Sequence, residues 1–254
     1  MKFRSAKRPQ VPAERPVLVK DLRLAVPWYL HPAEDPRQWA ELIRQAQLGR
    51  VAFAVVNVAS GPGEAGDPYY PAALAGLREG GVPLHGYVDT DYSARPPREV
   101  MDEVIVWRER YGVEGIMFDR VSADPANLSY YLPIAESARE AGIRVLVGNP
   151  GVVPHPAYLR AFDVVCVFED VDAVHQRLTT MAPPVGVPPD RLWHLVHGVH
   201  PLQFDAVLAR IAAQGAGLAF VTDRTGGNPW CGMPAELVAS MDRLGMQARH
   251  RSST

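Results

Sequence analysis

Gly115–Arg120 reads GIMFDR, three apolar side chains running straight into an acid and a base. A strand covered on both faces has no solvent side to alternate with, so it reads as a continuous apolar run. In a parallel sheet the polar residue at the C-terminal tip of such a run lies where loops gather and ligands bind. Asp119 is therefore a candidate site residue, although on this stretch alone the acid also fits a helix cap or a surface ion pair.

Working outward, the same theme recurs at LRLAVPWYL (from Leu22), VAFAVVNV (Val51), PLHGYVDT (Pro83), RVLVGNPG (Arg144), VVCVFED (Val164), LWHLVHGV (Leu192) and LAFVTDR (Leu218). Between these runs lie segments of helical character: PRQWAELIRQAQLG, PAALAGLREGG, PPREVMDEVIVWRERYG, YYLPIAESAREAG, PAYLRAF with the short VDAVHQRL, LQFDAVLARIAAQG and PAELVASMDRLG. Several open on Pro or Asp and close on Gly, the asymmetry expected of helix starts and stops. Strands alternating with helices imply βαβ units and a parallel sheet, and eight units in about 230 residues fit a closed (β/α)8 TIM barrel. An open doubly wound sheet is the alternative, but no Gly-rich phosphate loop follows the first run. The reading gives a single barrel domain over residues 21–246, a disordered leader over 1–20 and a disordered tail over 247–254.

Composition narrows the function. Of 254 residues 47% are apolar, enough for a sizeable core without staples, and a net charge of −2 with mixed signs gives no field that favours nucleic acid or an anionic membrane. The basic N-terminus MKFRSAKRPQVPAERPVLVK has no apolar stretch of secretory length, no run approaches a membrane span, and the cytoplasm is the expected address. Cys166 and Cys231 form no CxxC and read as free thiols. In HLVHGVH, alternation sets His197 opposite His194 and His200, so no zinc set is completed, and neither a metal nor another cofactor is expected.

In a barrel, function sits at the strand C-terminal ends. Those ends carry Tyr29, Asn57, Tyr87 with Asp89, Asp119, Asn149, Glu169, His197 and Asp223. Alternation groups Gly115, Met117 and Asp119 on one face, with Ile116, Phe118 and Arg120 on the other, and groups Val165, Val167 and Glu169 likewise. Asp119 and Glu169 are thus expected to point into the barrel mouth from alternate strands. Two carboxylates on one cleft are the equipment of glycoside hydrolysis, though they also suit a metal or helix caps. Tyr92 in the loop TDYSARP and Trp230 after GGNP are expected to line the cleft, with Trp230 as a ligand platform. SGPG (Ser60–Gly63) reads as a tight loop shaping the cleft wall, while Trp28, Trp107 and Trp193 read as core.

VPWYLHP (Val26–Pro32), NVASGPG (Asn57–Gly63), PYY (Pro68–Tyr70), GYVDTDYSARP (Gly86–Pro96), YGVEGIMFD (Tyr111–Asp119), NPG (Asn149–Gly151), FDVVCVFED (Phe162–Asp170), HLVHG (His194–Gly198) and VTD (Val221–Asp223) occur in the order seen in spherulin-4 family proteins. The chain resembles that family from Val26 to about Pro234. The family is similar to secreted endo-α-1,4-galactosaminidases and N-acetylgalactosaminidases, (β/α)8 barrels of implied retaining mechanism. The resemblance implies that Asp119, matching the aspartate of the family's FDE motif, is the nucleophile. It implies that Glu169, matching the later FE motif, is the acid/base. Tyr29, Asn57, Tyr87, Asp89, His197 and Asp223 match pocket positions. Where the family has Glu after the aspartate, this chain has Arg120. Alternation turns Arg120 away from Asp119, so its head is expected either to meet the ligand in the cleft or to pair with an acid in the helical layer. The expected partner is a carbohydrate or glycoconjugate carrying an α-linked galactosamine or N-acetylgalactosamine. Two alternatives stand beside hydrolysis: a barrel that binds carbohydrate without turnover, which Arg120 motivates, and an isomerase or lyase reusing the two acids.

Overall fold

The computed structural model of the protein describes residues 16–178 and 186–246. Eight strands, β1 (Arg23–Trp28), β2 (Val51–Val56), β3 (Leu84–Asp89), β4 (Gly115–Asp119), β5 (Val145–Gly148), β6 (Val164–Val171), β7 (Leu192–His197) and β8 (Leu218–Val221), form a closed barrel in chain order. All pairings are parallel, and β1 pairs with both β2 and β8, so no edge is left and the open-sheet alternative falls. The helices are α1 (Pro36–Gln47), α2 (Tyr70–Glu79), α3 (Pro97–Tyr111), α4 (Leu128–Glu140), α5 (Asp172–His175), α6 (Phe204–Ala213) and α7 (Ala235–Arg243).

Local chemistry sets the helix ends. The Asp35 carboxylate accepts from the Arg37 N–H and Pro36 opens α1, filling a position whose own N–H would be unpaired. Gly112 closes α3 at φ 60°, a left-handed turn that glycine adopts without cost. Two expected helices are much reduced. PAYLRAF forms only a 3-10 turn over Pro156–Arg160, and VDAVHQRL contributes only the four-residue α5. The helical coat is therefore thin beside β6. Segments this short have too few residues to offset the cost of helix nucleation.

The barrel interior is packed. His85 stacks on Phe53 with ring centroids 4.3 Å apart, and Trp193 meets Phe53 edge-on at 5.5 Å. Gly115 begins β4 because a β-carbon there would stand 2.2 Å from the His85 ring. Burial holds the His85 imidazole at about 3, hence neutral. Trp28, Trp107 and Trp193 are fully buried, as expected of core residues.

Residues 1–15 and 247–254, where the leader and tail were expected, lie outside the described residues. Val19–Asp21 forms a 3-10 turn, and Val17 and Val19 pack against the core, so ordered chain already begins inside the stretch read as leader. Cys166 and Cys231 are free thiols. Among the described residues no helix is long and apolar enough to cross a membrane.

Candidate active site

β4 and β6 deliver the two acids, and the chain between them delivers the group that joins them. Asn149 stands one residue beyond β5, in register between its neighbours. Its Nδ2 donates to Asp119 Oδ1 at 2.7 Å and also to Glu169 Oε2. Its carbonyl accepts the Gly151 N–H at 3.0 Å, which fixes which way the amide faces. One nitrogen bonded to both carboxylates keeps their nearest oxygens within two hydrogen-bond lengths, roughly 6 Å.

The second oxygen of Asp119 accepts the Tyr87 hydroxyl at 2.9 Å. Tyr29 packs edge-on against Tyr87, with centroids 5.6 Å apart, and steadies that ring. The two acids are raised against different sets of donors. Burial, reinforced by the neighbouring Asp119, pushes the Glu169 carboxyl up to about 7, against hydrogen bonds from Asn149 and Trp230. Burial also raises Asp119, but three donors oppose it: the Tyr87 hydroxyl, the Arg120 backbone N–H and the Asn149 amide. One carboxyl can hold a proton near neutrality while its neighbour is solvated by fixed donors, the division that acid and base roles require.

Glu169 reaches this position by a different route from simple alternation. The pairing of β6 with β7 slips between Cys166 and Phe168, so that Cys166 faces Trp193, Phe168 faces His194 and Glu169 faces Leu195. Val165 and Val167 lie on the outer side, in a crevice with Val153, Pro154, Pro156 and Leu159. Cys166 takes the inner side, where Glu169 and Asp119 act on its thiol after burial has already raised it. The expected grouping of Val165, Val167 and Glu169 on one face is thus corrected by a bulge, a device that re-aims side chains beside sites.

Arg120 also departs from alternation. The strand stops at Asp119, and Arg120 adopts φ 51°, which swings its side chain toward the loop after β3. The guanidinium donates to Asp89 Oδ2 at 2.9 Å and to Asp91 Oδ1, and lies 5.3 Å over the Tyr92 ring. It pairs with acids of the mouth, not with the helical layer. Asp89 and Asp119 are register partners on β3 and β4, and Thr90 ties the two strand ends by donating to the carbonyls of Asp119 and Arg120, both at 2.9 Å.

The other expected residues divide. Asn57 Oδ1 accepts the Gly61 N–H at 2.9 Å, so its side chain shapes the Ser60–Gly63 loop. His197 meets Trp230 edge-on at 5.8 Å. Trp230, expected as a ligand platform, is buried against Phe220 and His197 and bonds to Glu169, which places it in the wall of the site. Asp223 is exposed, two residues past β8, and is not drawn to the acid pair. Thr90, Asp91 and Cys166 escaped the sequence reading. The cleft-lining loop TDYSARP after β3 carried the first two without singling them out, and Cys166 was hidden by the bulge.

His194 lies behind the wall, 3.2 Å from His175, while Arg210 pairs with Asp172 beside them. Burial holds these imidazoles neutral, at about 3 and about 4. His200 instead caps a turn through the Leu202 N–H. Among the described residues no group of three or more side chains is placed to hold a metal.

The family described as "Spherulation-specific family 4" matches residues 23–243. Spherulin-4 of Physarum polycephalum is 31% identical over 152 residues, 59% of this chain and 45% of that protein, so the chain spans less than half the length of this curated relative. A crystal structure of Aspergillus clavatus Sph3 in complex with GalNAc superposes with a TM-score of 0.77 at 24% identity, covering 91% of this chain and 98% of that one. A tetrameric deoxyribose phosphate aldolase from Aeropyrum pernix superposes at 0.52 with 15% identity over 81% and 86% of the two chains. At these identities the superpositions establish the barrel fold.

Proposed function

From the premise that this chain belongs to the Spherulin4 family, spherulation-specific family 4, we propose that it is a retaining glycoside hydrolase. Its substrate is an α-linked galactosamine or N-acetylgalactosamine glycoside. The observation that carries this reading is the shared Asn149 amide, which donates to both carboxylates and so holds their nearest oxygens within roughly 6 Å, the close pairing a retaining mechanism needs, in which the carboxyl groups stand about 5–5.5 Å apart.

Asp119, held by three donors, attacks the anomeric carbon as its bond to the leaving oxygen breaks. Glu169, protonated near neutrality, gives that oxygen its proton. Water then enters; as Glu169 takes one of its protons, the water oxygen bonds to the anomeric carbon, the bond to Asp119 breaks, and the sugar leaves with its original anomeric configuration while Asp119 regains its carboxylate. Tyr87 and Asn149 keep Asp119 oriented, and Tyr29 and Trp230 provide apolar walls for a sugar. That the Sph3 structure contains GalNAc supports the choice of amino sugar.

The test is the anomer first released from an α-linked N-acetylgalactosamine oligosaccharide, followed by NMR, together with Asp119→Asn and Glu169→Gln. Retention, with loss of turnover in the first variant and rescue of the second on aryl glycosides whose leaving group needs no proton, is expected. Inversion, or unchanged turnover in either variant, refutes the assignment. Binding of the oligosaccharide by the natural protein without any turnover would leave a carbohydrate-binding barrel.

A further inference from the structure

Asp91, Tyr92 and Ser93 are three successive non-glycine residues at positive φ, 44°, 52° and 79°. Aspartate tolerates this left-handed region, but a bulky tyrosine is rarely found there. Such backbone persists only where its surroundings over-determine it.

Here the restraints are numerous. The Tyr92 N–H donates to the Arg120 carbonyl at 2.7 Å and the Ser93 N–H to the Thr90 carbonyl at 3.0 Å. The Ser93 hydroxyl donates to the Tyr131 hydroxyl at 3.1 Å. Arg95 donates to the Asp89 carbonyl at 2.7 Å and pairs with Glu103. Arg120 closes the arrangement by pairing with Asp89 and Asp91 across the loop.

The loop gains no core packing in return. Tyr92 is 58% exposed, with the Arg120 guanidinium over its ring. An aromatic ring, largely exposed and tied through the Arg120 carbonyl to the chain next to Asp119, with polar groups around it, is the arrangement on which the C–H face of a sugar ring packs while its hydroxyls find partners. The Arg120 charge is already met by two carboxylates and is not available to a ligand.

We infer that Tyr92 is a fixed stacking subsite for a sugar ring adjoining the acid pair, and that Arg120 is the positioning residue that holds it there. This rests on the carbohydrate reading of the site, and two separate measurements test it. Hydrogen exchange on the full chain reads the clamp without any sugar: Arg120→Ala should speed exchange of the Tyr92 and Ser93 amides, and unchanged exchange overturns the clamp. Calorimetry with an α-1,4-linked N-acetylgalactosamine oligosaccharide reads the subsite. Tyr92→Ala and Arg120→Ala should each weaken binding by about tenfold, and the double variant should be no weaker than Tyr92→Ala, because the arginine acts through the ring. Arg120→Lys should recover part of the loss. Losses that multiply, or affinity unmoved by Tyr92→Ala, overturn the subsite. If the natural protein binds the oligosaccharide but never cleaves it, the hydrolase reading fails and this one stands; if it binds none, the subsite fails.

Discussion

Tyr87 gives its phenolic hydrogen to Asp119 across 2.9 Å, from a strand position two residues short of Asp119's own register partner. The bond favours the ionised carboxylate and opposes the upward pull of burial. Tyr87→Phe should therefore move the Asp119 carboxyl upward. The acidic limb of the kcat/KM profile should shift to higher pH, and kcat should drop roughly 10- to 100-fold, the worth of one hydrogen bond to a charged group. A pH-rate profile of the variant, with the acidic limb unmoved, would remove Tyr87 from this role.

Glu169 sets the opposite limb. A carboxyl that acts as the proton donor and titrates at about 7 loses function as pH rises through that value. The alkaline limb of kcat/KM on substrates with poor leaving groups should lie near 7, and Glu169→Gln should abolish it on activated aryl glycosides. A limb that survives in the variant would belong to another group.

The same shift is a statement about stability. Because the folded-state value exceeds the ordinary carboxyl value of 4.5, the native protein binds the proton more tightly than the unfolded chain does. The contribution of Glu169 is most favourable below about 4.5 and declines as pH rises through about 7, by roughly 3 kcal/mol in all. Glu169→Gln lacks this decline. Denaturant unfolding at pH 5 and pH 8 should show the variant gaining on the natural protein at the higher pH; an equal difference at both would contradict the assignment.

Gly115 opens β4 against the His85 ring, with only 2.2 Å for a β-carbon. The ring is confined by Phe53 and cannot swing away. Gly115→Ala should destabilise the barrel by about 1–3 kcal/mol, the usual cost of overpacking. An unchanged midpoint in urea would show that the interior can yield.

How much of this was legible in the sequence follows from what each signal depends on. Eight apolar runs separated by helical segments report burial on both faces, a property of each strand's own residues, and the closed barrel followed from them. Asp119 and Glu169 stood out because each ends such a run. The bulge at Cys166 was not legible, since it arises from pairing with β7, and Val165, Val167 and Glu169 satisfy the alternating pattern without it. Arg120 misled for a related reason: alternation applies only while the strand continues, and Asp119 is its last residue. Trp230 lies in a loop, which usually means exposure, but Phe220 and His197 bury it. The 3-10 turn at Pro156–Arg160 has helical composition and too little length.

The orientation of the Asn149 amide, pinned by the Gly151 N–H, carries one more consequence. During the proposed cycle negative charge leaves Asp119 as its ester forms, while Glu169 becomes charged by giving up its proton. Both amide hydrogens stay directed at the pair throughout, one toward each acid, so the charge can pass from one carboxylate to the other without any donor turning round. A solvent shell would have to reorganise at that moment, whereas this amide is already in place for both ends of the transfer.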